Sequence, residues 1–266
     1  MRNLILCCML WQSFAMHAQM DSISQWSTTM LEGATAPIRL QAGERMQARI
    51  LSHMDSMGVP ATLSALAEHP VLVSVSPNGK LALISLAIPQ TQGHYAFRGI
   101  AAWQHNKTWY NKATQGQSST TEGLSHDGRY RCADYNMGMT YDIVQVKRSG
   151  ITHYLALIYQ PSMNPMQAQR KIVEPVILSK HGPHFGSPVF ALDSFNDQVF
   201  DRPATRLILQ YATGVSASIK QIKPGKILID QLAPMRHGQV GDYRQYGPTL
   251  AQAPLEFNRG KWRLAS

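Results

Sequence analysis

Read for the spacing of its apolar positions, the chain changes character near Pro70. Before that point, Met46, Ile50, Met54 and Met57 recur at intervals of four, four and three, which puts them on one face of a helix from Leu40 to Met57. Arg45 and Arg49 fall on another face, and Gly58 with Pro60 supplies a stop. Leu63 and Leu66 suggest a second, short helix. Residues 19–38 are polar, end at Pro37, and read as a loosely ordered entry segment.

After Pro70 the pattern is that of strands. Val71–Val75 and Leu81–Leu86 flank Asn78-Gly79, a strong hairpin signal because both residues tolerate positive φ. Tyr95, Phe97, Gly99, Ala101 and Trp103 alternate on one face of a further strand. Tyr141–Arg148 and Thr152–Tyr159 flank Ser149-Gly150, a second hairpin. Lys171–Ser179 is strand-like but holds Pro175, which points to an edge or a bulge. Thr205–Tyr211, Val215–Ile222, Lys226–Leu232, Leu255–Phe257 and Lys261–Leu264 follow, with turns at Lys223-Pro224-Gly225 and Arg259-Gly260. The segment 112–127, rich in Ser, Thr, Gln and Gly, reads as an exposed loop. The expected fold is therefore mainly β, an antiparallel meander of hairpins closing as a sandwich, barrel or propeller-like body. One or two helices occupy the N-terminal quarter. A Gly followed by a cation and a large apolar residue recurs at 79–81, 128–130, 225–227 and 260–262, but at irregular intervals, so it marks turns rather than a repeat.

Composition narrows the class. Of the 266 residues, 44% are apolar and only 15% charged, which excludes a disordered chain. No run after residue 20 approaches the ~20 apolar residues of a membrane helix. The first eighteen residues join Arg2, the apolar run Leu4–Trp11 and the small residues Ala15 and Ala18, the pattern of a secretory signal peptide. This predicts residues 1–18 as signal peptide, 19–69 as an entry segment with helices packing on the β domain, and 70–266 as the β-rich domain. The chain is expected to be exported: periplasmic, outer-membrane-associated or secreted. Cys7 and Cys8 leave with the signal, so Cys132 is left alone and no internal disulfide forms.

The net charge of +9 is spread along the chain, with no basic stripe interleaved with aromatics, which argues against nucleic-acid binding. A basic surface outside the inner membrane suits an anionic glycan or another cell-envelope component.

Chemical motifs are few. Gly214-Val215-Ser216-Ala217-Ser218 lacks the final Gly of a nucleophile elbow. There is no HExxH, paired CxxC or P-loop, and no cofactor or metal is expected. His181 and His184 have a metal-like gap but no Cys or acidic cluster beside them, and read as surface imidazoles in a turn. Asp193, Asn196, Asp197 and Asp201 read as a solvated acidic loop. Asp127, Asp134 and Asp142 are candidates for the paired carboxylates of a glycoside hydrolase. Asp230 ends the apolar run Ile227–Ile229 and either faces a cleft or pins the following turn. The catalytic candidates are thus Asp134, Asp142 and Asp230. Two functions follow as expectations: an exported, non-enzymatic binding or envelope-associated module on a β scaffold, and a carboxylate-based secreted hydrolase.

From about residue 70 the chain also resembles an uncharacterised family of exported β-rich proteins of Gram-negative bacteria. The resemblance is carried by Ser76–Leu81, Tyr154–Leu157, Lys171–Glu174, Phe185–Phe190, Ile227–Pro234, Tyr246-Gly247-Pro248 and Gly260-Lys261-Trp262, in that order. It implies export and a β-rich domain, and no activity. Where that family tends to have His after the Asp, Gln231 stands here, and where it tends to have Asp after Tyr-Gly-Pro, Thr249 stands.

Overall fold

The computed structural model describes residues 22–69, 71–114, 125–148 and 150–265. The proposed signal peptide and most of the Ser/Thr-rich loop lie outside them. Three helices come first: α1 (residues 22–32), α2 (Ala36–Met57) and α3 (Val59–Leu66). The segment read as a loose entry is thus largely helical. Ile23, Ser27 and Met30 form its buried stripe, and with only two apolar residues in that stripe the periodicity is faint. Pro37, read as the end of the entry, lies in the first turn of α2, where proline's missing N–H costs nothing. Gly58 ends α2 at φ +84°, its N–H donating to Met54 O at 3.1 Å.

The strands form three main antiparallel sheets. Sheet A runs β1 (Leu72–Val75), β2 (Leu81–Pro89), β3 (Tyr95–His105), β4 (Thr108–Thr114) in spatial order. Lys112–Thr114 therefore belong to a strand, not to the loop expected there. Sheet B is built from β5 (Tyr130–Arg131), β6 (Met139–Arg148), β7 (Ile151–Gln160), β8 (Gln169–Ser179) and β9 (Gly182–Phe185), in the order β5-β9-β8-β7-β6. A small hairpin of β10 (Ser194–Phe195) and β11 (Gln198–Val199) follows, and then β12 (Leu207–Tyr211) joins sheet B beside β8. Sheet C is a meander of β13 (Ile219–Lys223), β14 (Lys226–Pro234), β15 (Tyr246–Asn258) and β16 (Lys261–Leu264). The hairpins expected at Asn78-Gly79 and at Ser149-Gly150 pair antiparallel.

Side-chain alternation sets the layers. In β2, Ala82, Ile84 and Leu86 share a core with Met46, Ile50 and Met54 of α2, while Leu81 and Leu83 face sheet B. In β7, Tyr154, Ala156 and Ile158 face sheet A, while Leu155 and Leu157 share a core with Ile227, Ile229 and Leu255 of sheet C. The order is helices, sheet A, sheet B, sheet C. Two antiparallel sheets are thus covered on both faces, which is why β2 and the middle of β7 read as unbroken apolar runs instead of alternating ones. The sheets stack as open layers, and among the described residues none closes into a barrel. Gly43 lets α2 approach sheet A, since a Cβ there would overlap Ile88. Gln47 crosses the same interface, donating to Gly99 O at 2.7 Å and Thr114 O at 3.1 Å.

Pro175 occupies neither an edge nor a bulge. Strand β8 has β7 on one side, and on the other β9 beside Val176–Ser179 and β12 beside Gln169–Val173. Pro175 O accepts from Gly186 N at 2.9 Å, so its N-side faces the gap between β9 and β12, where no ladder donor is required.

Candidate functional site

The three candidate carboxylates stand on separate elements. Asp134 is exposed at the end of a 3-10 turn, Cys132–Asp134. Asp142 is exposed on β6 beside a register shift, and its Oδ1 accepts from Ile143 N at 2.7 Å. Asp230, in β14, has both oxygens engaged: Oδ2 accepts from Ser218 N at 2.7 Å and Oδ1 from Gln252 Nε2 at 2.6 Å. Among the described residues, no hydrogen bond joins any two of the three. Asp127 pairs with Arg202 at 2.7 Å, and that guanidinium holds its carboxyl below the usual range.

The other motifs resolve into turns. His181 is exposed in the β8–β9 turn, and His184 is exposed within β9, between Ile177 of β8 and Arg131 of β5. Asn196 and Asp197, both at positive φ, make the tight turn between β10 and β11. There Asn196 Oδ1 accepts from Leu232 N at 2.9 Å and Asp197 Oδ2 from Tyr246 Oη at 2.9 Å. Among the described residues, no group of three or more His, Cys, Asp or Glu could hold a metal ion. Cys132 is a buried free thiol, and burial pushes it up to about 12. Gly214–Ser218 lies in the connection from β12 to β13, two strands, not at the strand-to-helix turn an elbow needs.

Two polar clusters escaped the sequence reading. The first is wholly buried. Arg206, just before β12, grips Glu174 of β8 with two bonds, Nε to Oε2 at 2.7 Å and Nη2 to Oε1 at 3.1 Å. Tyr135 Oη donates to Oε2 at 2.8 Å, and Arg206 lies 4.9 Å from the Tyr130 ring centre. Both charged side chains have no exposed surface. Burial pushes the Glu174 carboxyl upward, opposed by the charge of Arg206. Gly186 is required here: at φ +90°, with a Cβ it would collide with Gly128 O and Arg206. Arg206 also donates to Ser125 O at 2.5 Å, and Thr205 holds the carbonyls of His126 and Gly128 at 2.6 and 2.9 Å. The cluster locks sheet B to the 125–131 segment. Closed to solvent, it has the form of a structural clamp.

The second cluster is open. A depression of about 380 Å³ lies between the hairpin end of sheet B and the β13–β14 turn of sheet C. It is lined by Val146 and Lys147 of β6, by Lys223, Pro224, Gly225 and Lys226 of the β13–β14 hairpin, and by Glu256 and Phe257 of β15. Lys147 and Lys223 are exposed and make no ion pair among the described residues. Lys226 faces its cross-strand partner Glu256 at 2.6 Å. The hydrogen bond and charge of Lys226, with a contribution from Lys223, hold the Glu256 carboxyl below its usual range. The lining thus carries two positive charges in excess. Phe257 is fixed from behind, its ring centre 5.4 Å from that of buried Trp262 and 4.9 Å from that of His153. Lys223 also sits on the edge strand of sheet C beside a register shift, where lysine discourages pairing with another chain. In sequence these residues are scattered over more than a hundred positions, so no local motif announces them.

No family model, no curated protein and no solved structure matches this chain, which leaves its own side chains to indicate what it does.

Proposed function

We propose that the protein is an exported, non-enzymatic binding or envelope-associated module that holds an anionic component of the cell envelope on its β scaffold. The observation that carries this reading is the lysine-rimmed depression between sheets B and C. Its cations come from two sheets and line one shallow depression. The N-terminal signal pattern and the absence, among the described residues, of a helix long and apolar enough to cross a membrane are compatible with it. A carboxylate-based hydrolase has less support, because Asp230 is fully engaged in holding strands and Asp134 and Asp142 lie on other elements. The test is expression of the full chain in a Gram-negative host, followed by fractionation and intact-mass analysis. Mature protein beginning at Gln19 should be recovered outside the cytoplasm. It should bind washed envelope fragments at low salt and be released as salt screens the contact. A chain retaining Met1 in the cytoplasm, or one indifferent to envelope fragments at low salt, refutes the reading.

A further inference from the structure

One face of sheet B ends in a polar row. Arg170 of β8 stands directly opposite Gln160 of β7 and Gln210 of β12, so the three side chains project on the same side. Two residues along, Ile158, Ile172 and Ile208 repeat the alignment as buried side chains that face sheet A. The row is therefore the rim of the interface between sheets A and B. It lies at the end of β7 remote from the 149–150 turn and from the lysine-lined depression.

All three polar residues are half-buried. Arg170 Nε donates to Gln210 Oε1 at 3.2 Å, which fixes the plane of the guanidinium. Gln160 turns the other way: its Nε2 donates to Asn136 O at 3.4 Å, and its Cγ lies over Gly138, where a Cβ would overlap it. The two terminal nitrogens of Arg170 have no hydrogen-bond or ion-pair partner among the described residues, and neither is sealed from solvent. By contrast, Arg206 is met by Glu174 and Ser125 O, Arg98 by Glu44 and Phe97 O, and Arg39 by Pro89 O and Gly33 O. Burial alone lowers the Arg170 guanidinium from its usual range, the mark of a charge withdrawn from water without compensation.

We infer that Arg170 is the seat of a carboxylate, held end-on by its two terminal nitrogens while Gln210 keeps the guanidinium in place. A guanidinium whose Nε is already taken presents a planar fork that matches the two oxygens of a carboxylate. The row supplies one positive charge, so a monoanion neutralises it, whereas a phosphate dianion would bring an uncompensated charge to the rim of the interface. The seat shares no residue with the lysine-lined depression and stands independently of it.

The test is titration of the purified protein with acetate, N-acetylalanine, N-acetylalanine amide and inorganic phosphate at about pH 8, where phosphate is a dianion. The readout is the Nε–H signal of Arg170 and the backbone amides of Arg170 and Gln210. Acetate and N-acetylalanine should give saturable shifts there, with dissociation constants on the order of millimolar, because one partly wet charge pair contributes little. The amide and phosphate should bind at least about tenfold more weakly. Tighter binding of N-acetylalanine than of acetate assigns the ligand to the carboxyl end of a peptide, and any other order assigns it to a free small carboxylate; either supports the seat. Arg170→Gln should weaken acetate binding at least about tenfold. Gln210→Glu covers the case in which that variant fails to fold. It sets a carboxylate of the chain itself beside the guanidinium, and should abolish the acetate shifts while raising the melting temperature. Acetate shifts that persist in Gln210→Glu, phosphate binding as tight as acetate, or no saturation by about 100 mM acetate overturns the seat. None of these outcomes bears on the lysine-lined depression, which the salt-dependent binding of envelope fragments tests.

Discussion

At the scale of single residues, the Glu174–Arg206 pair is the most demanding feature of the molecule. Two charges have been taken wholly out of water, and their mutual bonds, Tyr135, the Ser125 carbonyl and the Tyr130 ring compensate. Removing one partner should therefore cost far more than removing both. Arg206→Met should lower stability by about 3–5 kcal/mol, because Glu174 is left buried and unpaired. Glu174→Met/Arg206→Met should recover most of that loss, since apolar side chains of similar volume suit a dry interior. Urea denaturation midpoints of the two variants decide the matter. If the double variant is as unstable as the single, the pair is fixed by its neighbours' geometry and not by charge burial. Nothing in the sequence announced this pair. Glu174 and Arg206 stand 32 residues apart, each as one charge beside an apolar run, and only the pairing of β8 with β12 brings them together. The lone Cys132 was easier to read, because its neighbours carry no nucleophile pattern, and it lies buried with Sγ 3.8 Å from the carbonyls of Lys112 and Ala113.

At the scale of elements, strands were legible where turn chemistry flanked them. Gly79 and Gly260, both at positive φ, mark the hairpins at Asn78-Gly79 and Arg259-Gly260. Strand β4 was missed because its turn is Asn106-Lys107, at φ 49° and 66°, and lysine is not a turn signal. The first half of β15 was missed because Thr249, Leu250, Ala251 and Gln252 are all exposed, so no alternation survives there. That half is held by polar contacts, and Asp230 is central to them. Its carboxylate ties Ser218, at the approach to β13, to β14, and ties β14 to Gln252 of β15 next to a register shift. Asp230→Asn keeps an acceptor but removes the charge from two short bonds. It should lower stability by about 1–3 kcal/mol, the range for charge-assisted hydrogen bonds. Hydrogen exchange should quicken at the amides of Ser218 and the β13 edge before it does in sheet B. An unchanged melting temperature would show that the clasp contributes nothing to sheet C.

At the scale of the whole molecule, the four-layer order could not be read from the chain. Local patterns report only whether a strand is buried, and β2, β7 and β12 are buried on both sides without any sign of which layer lies where. Stacking has an electrostatic consequence, because it lodges histidines at or between layers. His53 of α2 is buried, and its Nε2 has no hydrogen-bond partner among the described residues. His126 sits in the segment clamped to β12, its Nδ1 3.0 Å from Arg206 O, and His153 of β7 lies on Phe257 of sheet C. Burial is the leading cause that lowers all three below 6.5, with the charge of Arg49 adding to it at His53 and that of Arg206 at His126. A lowered histidine favours the neutral folded form, so between its folded value and 6.5 the unfolded chain holds more protons. Stability from this source is complete above about pH 6.5 and is lost as the pH falls below it. Ordinary carboxylates titrate lower, near pH 4, and Glu174, pushed upward by burial, takes its proton first in the folded state and so opposes the fall, which leaves the loss to the histidines. The melting temperature should therefore be flat from about pH 8 to about pH 7 and fall from there to about pH 5. Replacing His53 by Leu removes a buried imidazole without a partner for Nε2. That variant should melt over the same range with a shallower fall, because one of the three proton uptakes on unfolding is gone. A profile that falls as steeply without His53 would mean that this histidine is protonated equally in both states, and that its burial does not govern the acid sensitivity of the fold.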